Sequence, residues 1–237
     1  MKNCPVQKPK IKKYKKTDGY TAWLVDGRYI RDCINEEFTN FGWTNYFSFI
    51  PDTEFWIDIE AKTGESRYYF DNFLKMKELM GKGLSYEEAV VKSDRVEKRE
   101  RSKTEFYKTH KNFTKSHQEI CVHKRILFSL GNKLKIWLIN GEEVRTLFFI
   151  DFTEGGHGKV YDFIPANEVW IDDDLTIEER KFILVHELHE RRLMAKGLDY
   201  NTAHYKSSAL ERFCRKTKIF TPVILFFEKI ANFVFVA

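Results

Sequence analysis

Histidines and glutamates are concentrated in one short stretch of the chain, His186-Glu187-Leu188-His189-Glu190. On a helix, His186 and Glu190 would share one face, one turn apart, because 3.6 residues complete a turn. Zinc enzymes hold their metal with two ligands at this i, i+4 spacing, and the glutamate that follows the first histidine is then placed to act as a base. His189 lies three residues after His186 and could reach the same metal.

Two more histidines are candidates for the same site. His204 lies about one turn into the following helix, and a short turn at Gly197 would make the two helices neighbours. His157 stands in a glycine-rich loop, residues 155–158, where missing side chains let backbone or ligand come close.

We therefore predict one metal site, whose candidate ligands are His157, His186, Glu190 and His204. Three ligands and an open position for water would suit zinc or another divalent transition metal. Glu187, or the residue left over as fourth, would be the general base. In the alternative interpretation, His186, Glu190 and His204 form only a buried hydrogen-bonded network, in which Glu211, Arg191 or Arg192 is the partner of Glu190.

The sequence also repeats itself. Phe49-Ile50-Pro51 recurs as Phe163-Ile164-Pro165, a difference of 114 in residue number. Without any insertion, the same offset aligns Trp23 with Trp137, Gly27 with Gly141, Trp56 with Trp170, Glu97 with Glu211 and Arg101 with Arg215. This register indicates a tandem duplication of a domain of about a hundred residues.

The repeat predicts which candidates face the interior. Trp43, Met76 and Val90 occupy the positions that correspond to His157, Glu190 and His204, while Asn72 corresponds to His186. Apolar counterparts indicate buried positions, so the ligands should point inward in the second copy alone and the first copy should be degenerate. Lysines correspond to His189 and Arg191, which we therefore expect on a solvent-facing side.

Local patterns predict the elements that carry these residues. Tyr20–Val25, then Asp26-Gly27, then residues 28–31 are typical of a β-hairpin, and further strands are expected at residues 45–50 and 54–58. Thr176 and Glu179 form a capping-box pattern for a helix that ends near Lys196, and Asp199 can cap the next helix. The fold class is therefore α+β, with an antiparallel β-sheet followed by a helix pair in each copy.

The expected segments are a basic N-terminal arm (1–16), the first copy (17–101), a basic linker (102–122), the second copy (123–216) and an apolar C-terminal tail (217–237). The arm holds seven lysines and no acid, more positive charge than the net +5 of the whole chain. Nucleic acid or an acidic partner could bind to Lys8–Lys16. The tail is too short to span a bilayer, so we expect it to pack on the domain or to touch a membrane peripherally.

Residues 1–16 lack the apolar stretch of a signal peptide, and the four cysteines show no CxxC spacing or pairing pattern. We therefore expect a cytoplasmic protein with reduced thiols.

The residues His186-Glu187-x-x-Glu190, with a histidine on a following helix, resemble zincin-type metallohydrolases, although Glu190 replaces the second histidine of that motif. A zincin-like site implies a zinc-dependent, peptidase-like hydrolase. The wider pattern, from Phe163-Ile164-Pro165 to Ala203-His204, is similar to uncharacterised bacterial or phage proteins. The rival hypothesis is a non-catalytic binding protein that uses its basic arm and linker.

Overall fold

The chain folds into two compact units, each with a four-stranded sheet followed by helices. The structure is a computed structural model that describes residues 8–17, 19–62 and 64–236. The first unit comprises the chain up to Asn112 together with Glu142–Asp151, and the second comprises Phe113–Gly141 and the chain from Phe152 onward. The predicted α+β class is therefore confirmed.

The sheet of the first unit has the strand order β1-β2-β4-β3. Strand β1 is antiparallel to β2, β2 is parallel to β4, and β3 is antiparallel to β4. The elements of this part of the chain are β1 (Lys10–Thr17), β2 (Tyr20–Val25), α1 (Gly27–Cys33), β3 (Phe41–Gly42), β4 (Glu54–Asp58), α2 (Ser66–Gly81), α3 (Tyr86–Arg101) and α4 (Glu105–His110).

The sheet of the second unit has the matching order β5-β6-β8-β7. Trp137 pairs with Trp170 in this sheet, as Trp23 pairs with Trp56 in the other. The remaining elements are α5 (Lys115–Val122), β5 (His123–Leu130), β6 (Leu134–Ile139), α6 (Gly141–Leu147), β7 (Gly155–His157), β8 (Glu168–Asp172), α7 (Ile177–Ala195), α8 (Tyr200–Lys216), a 3-10 turn (Lys218–Phe220) and α9 (Thr221–Phe235).

The predicted strand pairing is wrong in two respects. Both sheets are mixed rather than antiparallel, because β2 and β6 run parallel to β4 and β8. The Asp26-Gly27 pair starts helix α1 instead of a hairpin, since the Asp26 carboxylate accepts a hydrogen bond from the Tyr29 N–H and caps that helix. The segment 45–50, which was expected to be a strand, and its counterpart 159–164 form turns. The short strands β3 and β7, which precede these turns, pair with β4 and β8 instead.

The antiparallel partner of β2 is β1, which includes most of the segment that the sequence suggested was a free basic arm. Lys10 Nζ lies 2.6 Å from Glu54 Oε1 and also lies over the rings of Trp23 and Trp56. The part of the arm before Lys8 is outside the described residues. Several of the lysines between Lys8 and Lys16 therefore already pack on this unit.

Gly27 and Gly141 are two equivalent positions where a side chain would not fit. A Cβ on either glycine would overlap a carboxylate, that of Asp58 for Gly27 and that of Asp172 for Gly141. The Gly27 N–H also donates a hydrogen bond to Asp58 Oδ1 at 3.2 Å. Both glycines start a helix directly after the strand that neighbours the aspartate, which explains why a glycine stands at both places.

Substitution Gly141→Ala is expected to destabilise the protein by about 2 kcal/mol or more, because the new methyl group must displace a buried carboxylate. Gly81→Ala is the matched control. Gly81 lies in helix α2 with open space around it, so its replacement should be neutral or stabilise by about 0.5–1 kcal/mol. Urea unfolding of the three proteins measures both effects, and equal stability of the two variants would contradict the steric argument.

Helix starts and stops follow the sequence closely. Thr176 caps α7 by accepting from the Glu179 N–H, and Asp199 caps α8 in the same way from the Thr202 N–H. Ser85 and Glu88 form a complete capping box at α3. Gly197, with φ of +92°, ends the turn after α7, in the left-handed conformation that glycine adopts without strain.

The structure also bears on the expected linker, the expected apolar tail and the expected reduced cysteines. The segment 102–122 contains helices α4 and α5, and most of the apolar tail forms α9, which packs on α7. Cys121 and Cys214 are free thiols, whereas Cys33 is part of a disulfide, so the expectation of reduced cysteines is wrong for Cys33. Within the described residues, no helix is both long enough and apolar enough to cross a membrane.

Candidate metal centre

Three elements of the second unit bring the candidate ligands together. Helix α7 carries His186 and Glu190, helix α8 carries His204, and strand β7 at the edge of the sheet carries His157. Helix α7 is buried around most of its circumference, since Phe182, Val185 and Leu188 belong to the hydrophobic core while His186 and Glu190 are also buried. The apolar packing on its other sides fixes the direction in which these polar groups point.

Three ligand atoms form a nearly equilateral triangle. His204 Nδ1 lies 2.9 Å from Glu190 Oε2 and 3.1 Å from His186 Nε2, and His186 Nε2 lies 3.5 Å from Glu190 Oε2. Donor atoms bound at 2.0–2.1 Å to a tetrahedral zinc are about 3.3 Å apart. The three edges are close to this value, so the three atoms could bind one zinc ion. The His204 side chain is 35% exposed, whereas that of Glu190 is 4% exposed.

His186 is held by a buried chain of charged groups. Its Nδ1 lies 3.0 Å from Glu211 Oε2, and Glu211 Oε1 accepts from Arg215 Nε at 2.9 Å. Arg215 in turn donates to both carboxylate oxygens of Glu179. A carboxylate on Nδ1 holds a proton there, so that Nε2, which is directed at Glu190 and His204, is the nitrogen that would bind a metal after losing its own proton. This is the arrangement found behind metal-bound histidines.

The electrostatics of the cluster reflect these contacts. Burial by itself would lower the pKa of His186, but the carboxylates of Glu190 and Glu211 hold it well above its usual value. Burial would raise the pKa of Glu190, yet contacts with His157, His186 and His204 keep it far below its ordinary range. Glu190 is therefore an anion, and the histidine side of the cluster carries the compensating positive charge when no metal is bound.

His157 lies on the opposite side of the Glu190 carboxylate. Its Nε2 is 3.2 Å from Glu190 Oε1, and the side chain is completely buried. The Lys159 N–H donates to His157 Nδ1 at 3.2 Å, so the proton of the neutral ring is on Nε2. Burial lowers the pKa of His157, which keeps the ring neutral. This protonation pattern makes His157 a donor toward Glu190, although Nε2 has no well-aligned hydrogen bond.

Glu187 belongs to the same cluster. Ligand atoms of His157, Glu187 and Glu190 all lie within 4.8 Å of one another, as do those of His186, Glu190 and His204. Glu190 is thus shared by two groups. Burial raises the pKa of Glu187 to about 8, and the negative charge of Glu190 adds to the shift. A carboxyl group with a pKa in this range can exchange protons near neutral pH, as general acid–base chemistry requires.

The expectation that His189 and Arg191 face solvent is wrong. Helix α9 covers this side of α7, so His189 Nδ1 lies 2.7 Å from Glu228 Oε1 and Arg191 donates to Asn232 Oδ1 and to the Ala166 carbonyl. Arg191 is 1% exposed. His189 is therefore engaged with α9 and does not point at the candidate ligands.

The contact between α7 and α9 should weaken in acid. Burial would raise the pKa of Glu228, but His189 and Arg192 lower it from 4.5 to about 2. Its stabilising contribution is therefore complete above the unfolded pKa of about 4.5 and is lost as the pH falls from there toward 2. We expect a Glu228→Gln variant to lose less stability than the wild type over this interval, measured by thermal unfolding at a series of pH values. Parallel curves would contradict the assignment.

The first unit has no ligand set at the positions 114 residues earlier. Trp43, Phe73 and Met76 pack there in an aromatic and apolar cluster, where the second unit has His157, Glu187 and Glu190. Asn72 replaces His186 and donates to Glu97 Oε2 at 2.7 Å. The charged chain behind it is retained, because Arg101 binds both Glu97 and Glu65. The two units therefore share the supporting ion pairs, and at these positions only the second has the candidate ligands.

Sequence reasoning anticipated the four clustered candidates but did not assign the groups that hold them. The sequence indicates Glu211 only as a partner of Glu190 in the network interpretation, and it indicates no role at the site for Glu179 and Arg215. The repeat of Glu97 and Arg101 as Glu211 and Arg215 was the available signal. Comparison with protein-family models, with curated proteins and with solved structures finds no match to this chain.

Proposed function

We propose that the chain is a metal-dependent hydrolase whose site lies in the second unit, with His186, Glu190 and His204 as ligands of zinc or another divalent transition metal. The observation that carries this proposal is the triangle of donor atoms with edges of 2.9, 3.1 and 3.5 Å. In the metal-free protein, the raised pKa of His186 supplies the proton that lies between its Nε2 and His204 Nδ1. A divalent metal would replace that proton and use the lone pairs of both nitrogens.

The remaining members of the cluster have supporting roles in this proposal. Glu211 orients His186, and His157 directs its Nε2–H toward the Glu190 oxygen that faces away from the two ligand histidines. The coordinating oxygen of Glu190 thereby remains directed at the ligand triangle. His157 is thus an outer partner of the site rather than a direct ligand, because a ligating Nε2 would need the proton on Nδ1, where the Lys159 N–H already donates.

Glu187 is the proposed general base. When bound, the metal would lower the pKa of a water molecule at its open position and polarise a carbonyl or phosphoryl oxygen. A carboxylate oxygen of Glu187 lies within 4.8 Å of one of Glu190, and Glu187 would accept the proton of the attacking water. The zincin resemblance favours a peptide carbonyl as the group attacked.

We further propose that the two units arose by tandem duplication and that the first has lost its site. The same strand order, the equivalent tryptophan pairing and the retained arginine–glutamate chain support this origin. The rival function, binding of nucleic acid or an acidic partner through Lys8–Lys16, has less support, because Lys10 pairs with Glu54 and the Lys8, Lys13 and Lys15 ammonium groups lie over aromatic rings.

The test of the reaction uses zinc-loaded protein and fluorescein-labelled casein. Glu187→Gln should retain the metal and lower the hydrolysis rate by about 10²–10⁴-fold, because it removes the base but no ligand. Glu178→Gln, an exposed position on the same helix, should have the wild-type rate. Hydrolysis by wild type and Glu187→Gln at equal rates would remove Glu187 from the mechanism, and no cleavage by metal-loaded wild type would remove the peptidase assignment.

A further inference from the structure

Helix α9 presents an apolar face that none of the described residues covers. Large hydrophobic side chains follow one another along its outer side and along the preceding turn, with exposed fractions between 39% and 82%. They are Ile219, Phe220, Val223, Phe226, Phe227, Ile230, Phe233, Val234 and Phe235. Soluble monomers rarely expose so many neighbouring apolar residues, and such patches mark interaction surfaces.

The inner side of α9 fixes this face in place. Leu225 packs in the hydrophobic core of the unit. The Asn232 side chain donates to the Leu188 carbonyl, and Glu228 binds Arg192. Leu225 and these polar groups therefore fix the orientation of α9, and this orientation directs the other large apolar side chains of the helix outward.

Three lysines lie at the edge of the apolar face. The ammonium groups of Lys133, Lys196 and Lys229 lie 4.4–5.1 Å from the ring centres of Phe233, Phe235 and Phe128. Glu228 is the single acidic residue of α9, and it faces inward. The surface therefore combines an apolar centre with a positively charged rim, which complements a layer of anionic headgroups above hydrocarbon.

An apolar groove of about 580 Å³ runs beside α9. Phe128, Leu130, Leu225 and Ile230 line it, and Lys181 and Lys229 lie along it. A groove with this lining suits one acyl chain of a phospholipid. The phosphate of the lipid headgroup would then meet the ammonium groups of Lys181 and Lys229.

We propose that the outer face of α9 docks onto an anionic phospholipid bilayer. The helix would lie in the plane of the interface, because its 15 residues are fewer than the ~20 needed to cross the hydrocarbon. The phenylalanines would enter the headgroup boundary, and the surrounding lysines would contact lipid phosphates. This mode of attachment is independent of the metal centre.

A second copy of the chain fits this face less well. A two-fold interface would place the same surface on both partners, so the lysine rims would approach each other. Like charges at close range oppose association, while anionic lipid neutralises them. The charge of the rim therefore favours a bilayer over a dimer.

The experiment is vesicle flotation of the full chain with phosphatidylcholine vesicles, with and without phosphatidylserine. Wild type should float with the anionic vesicles, and high salt should weaken binding. Phe226→Glu/Phe227→Glu should reduce the partition coefficient by at least about tenfold, because it replaces two inserted aromatic rings with anions. Ile177→Glu, at an exposed apolar position outside this face, should bind like wild type. Circular dichroism checks that both variants are folded.

Two outcomes would overturn the proposal. The first is equal flotation of wild type and the folded double variant. The second is no flotation of wild type, including the case in which sedimentation shows a dimer that the double variant dissociates, since that result would assign the face to a second copy.

Discussion

Replacing His186 by alanine is expected to abolish stoichiometric metal binding. His186 supplies one of three donor atoms of the proposed site, and the other two are then too few to hold zinc against water. Elemental mass spectrometry of protein equilibrated with zinc and then dialysed should find about one zinc per wild-type chain and none in His186→Ala. His117→Ala, which removes an exposed histidine far along the sequence from the site, is the control and should retain the metal.

Replacing the groups that support the ligands, Glu211 and His157, should weaken zinc binding without abolishing it. Glu211→Gln removes the anion behind His186, and such outer partners typically contribute 10–100-fold to metal affinity. His157→Gln keeps an N–H donor that can approach Glu190, so it should weaken zinc binding by no more than this amount. Complete loss of zinc in His157→Gln would instead make His157 a ligand.

The alternative is a buried polar network without a metal. It predicts no zinc in wild type, no uptake from solution, and a His186→Ala variant whose main change is in stability. That result would refute the metalloenzyme proposal while leaving the vesicle experiment unaffected, because α9 docks through different residues.

The helices of the site could be predicted because their signals are local. Thr176, Gly197 and Asp199 each act within one turn of their own position, so their residue types are sufficient to place the ends of α7 and the start of α8. The strands could not be paired in this way. Asp26-Gly27 and Asn140-Gly141 are each compatible with both a hairpin turn and a helix start, and the choice depends on the distant carboxylate of Asp58 or Asp172, which occupies the space beside the glycine.

The same distinction between shared surroundings and distant contacts explains which parts of the candidate site could be predicted. Burial of His157 and Glu190 could be predicted, because apolar Trp43 and Met76 stand at the corresponding positions. The environment of His189 and Arg191 could not, because α9 covers them, and the segment 114 residues earlier forms the two short helices α4 and α5 rather than one long helix. A comparison between the two units reports only the surroundings that both units share.

The chain of buried ion pairs should be the largest electrostatic contribution that both units share. Arg101 binds Glu65 through both terminal nitrogens and Glu97 through Nε, and it is 1% exposed. Substitution Arg101→Met keeps the volume but leaves the buried Glu97 carboxylate without an arginine and Glu65 with Arg145 alone, and breaking a buried ion pair typically costs about 3–5 kcal/mol. This loss is comparable with the total stability of a small domain.

Arg215→Met should produce a similar loss of stability and, in addition, weaken zinc binding, because Arg215 positions the Glu211 carboxylate that orients His186. Arg101→Met should leave zinc binding unchanged, since no ligand depends on it. Arg99→Met, on the exposed side of α3, should change stability by no more than about 0.5 kcal/mol. Urea unfolding combined with zinc titration of these three variants separates the structural role of the ion pairs from their role at the site. Equal zinc affinity in Arg101→Met and Arg215→Met would show that the chain supports the fold alone.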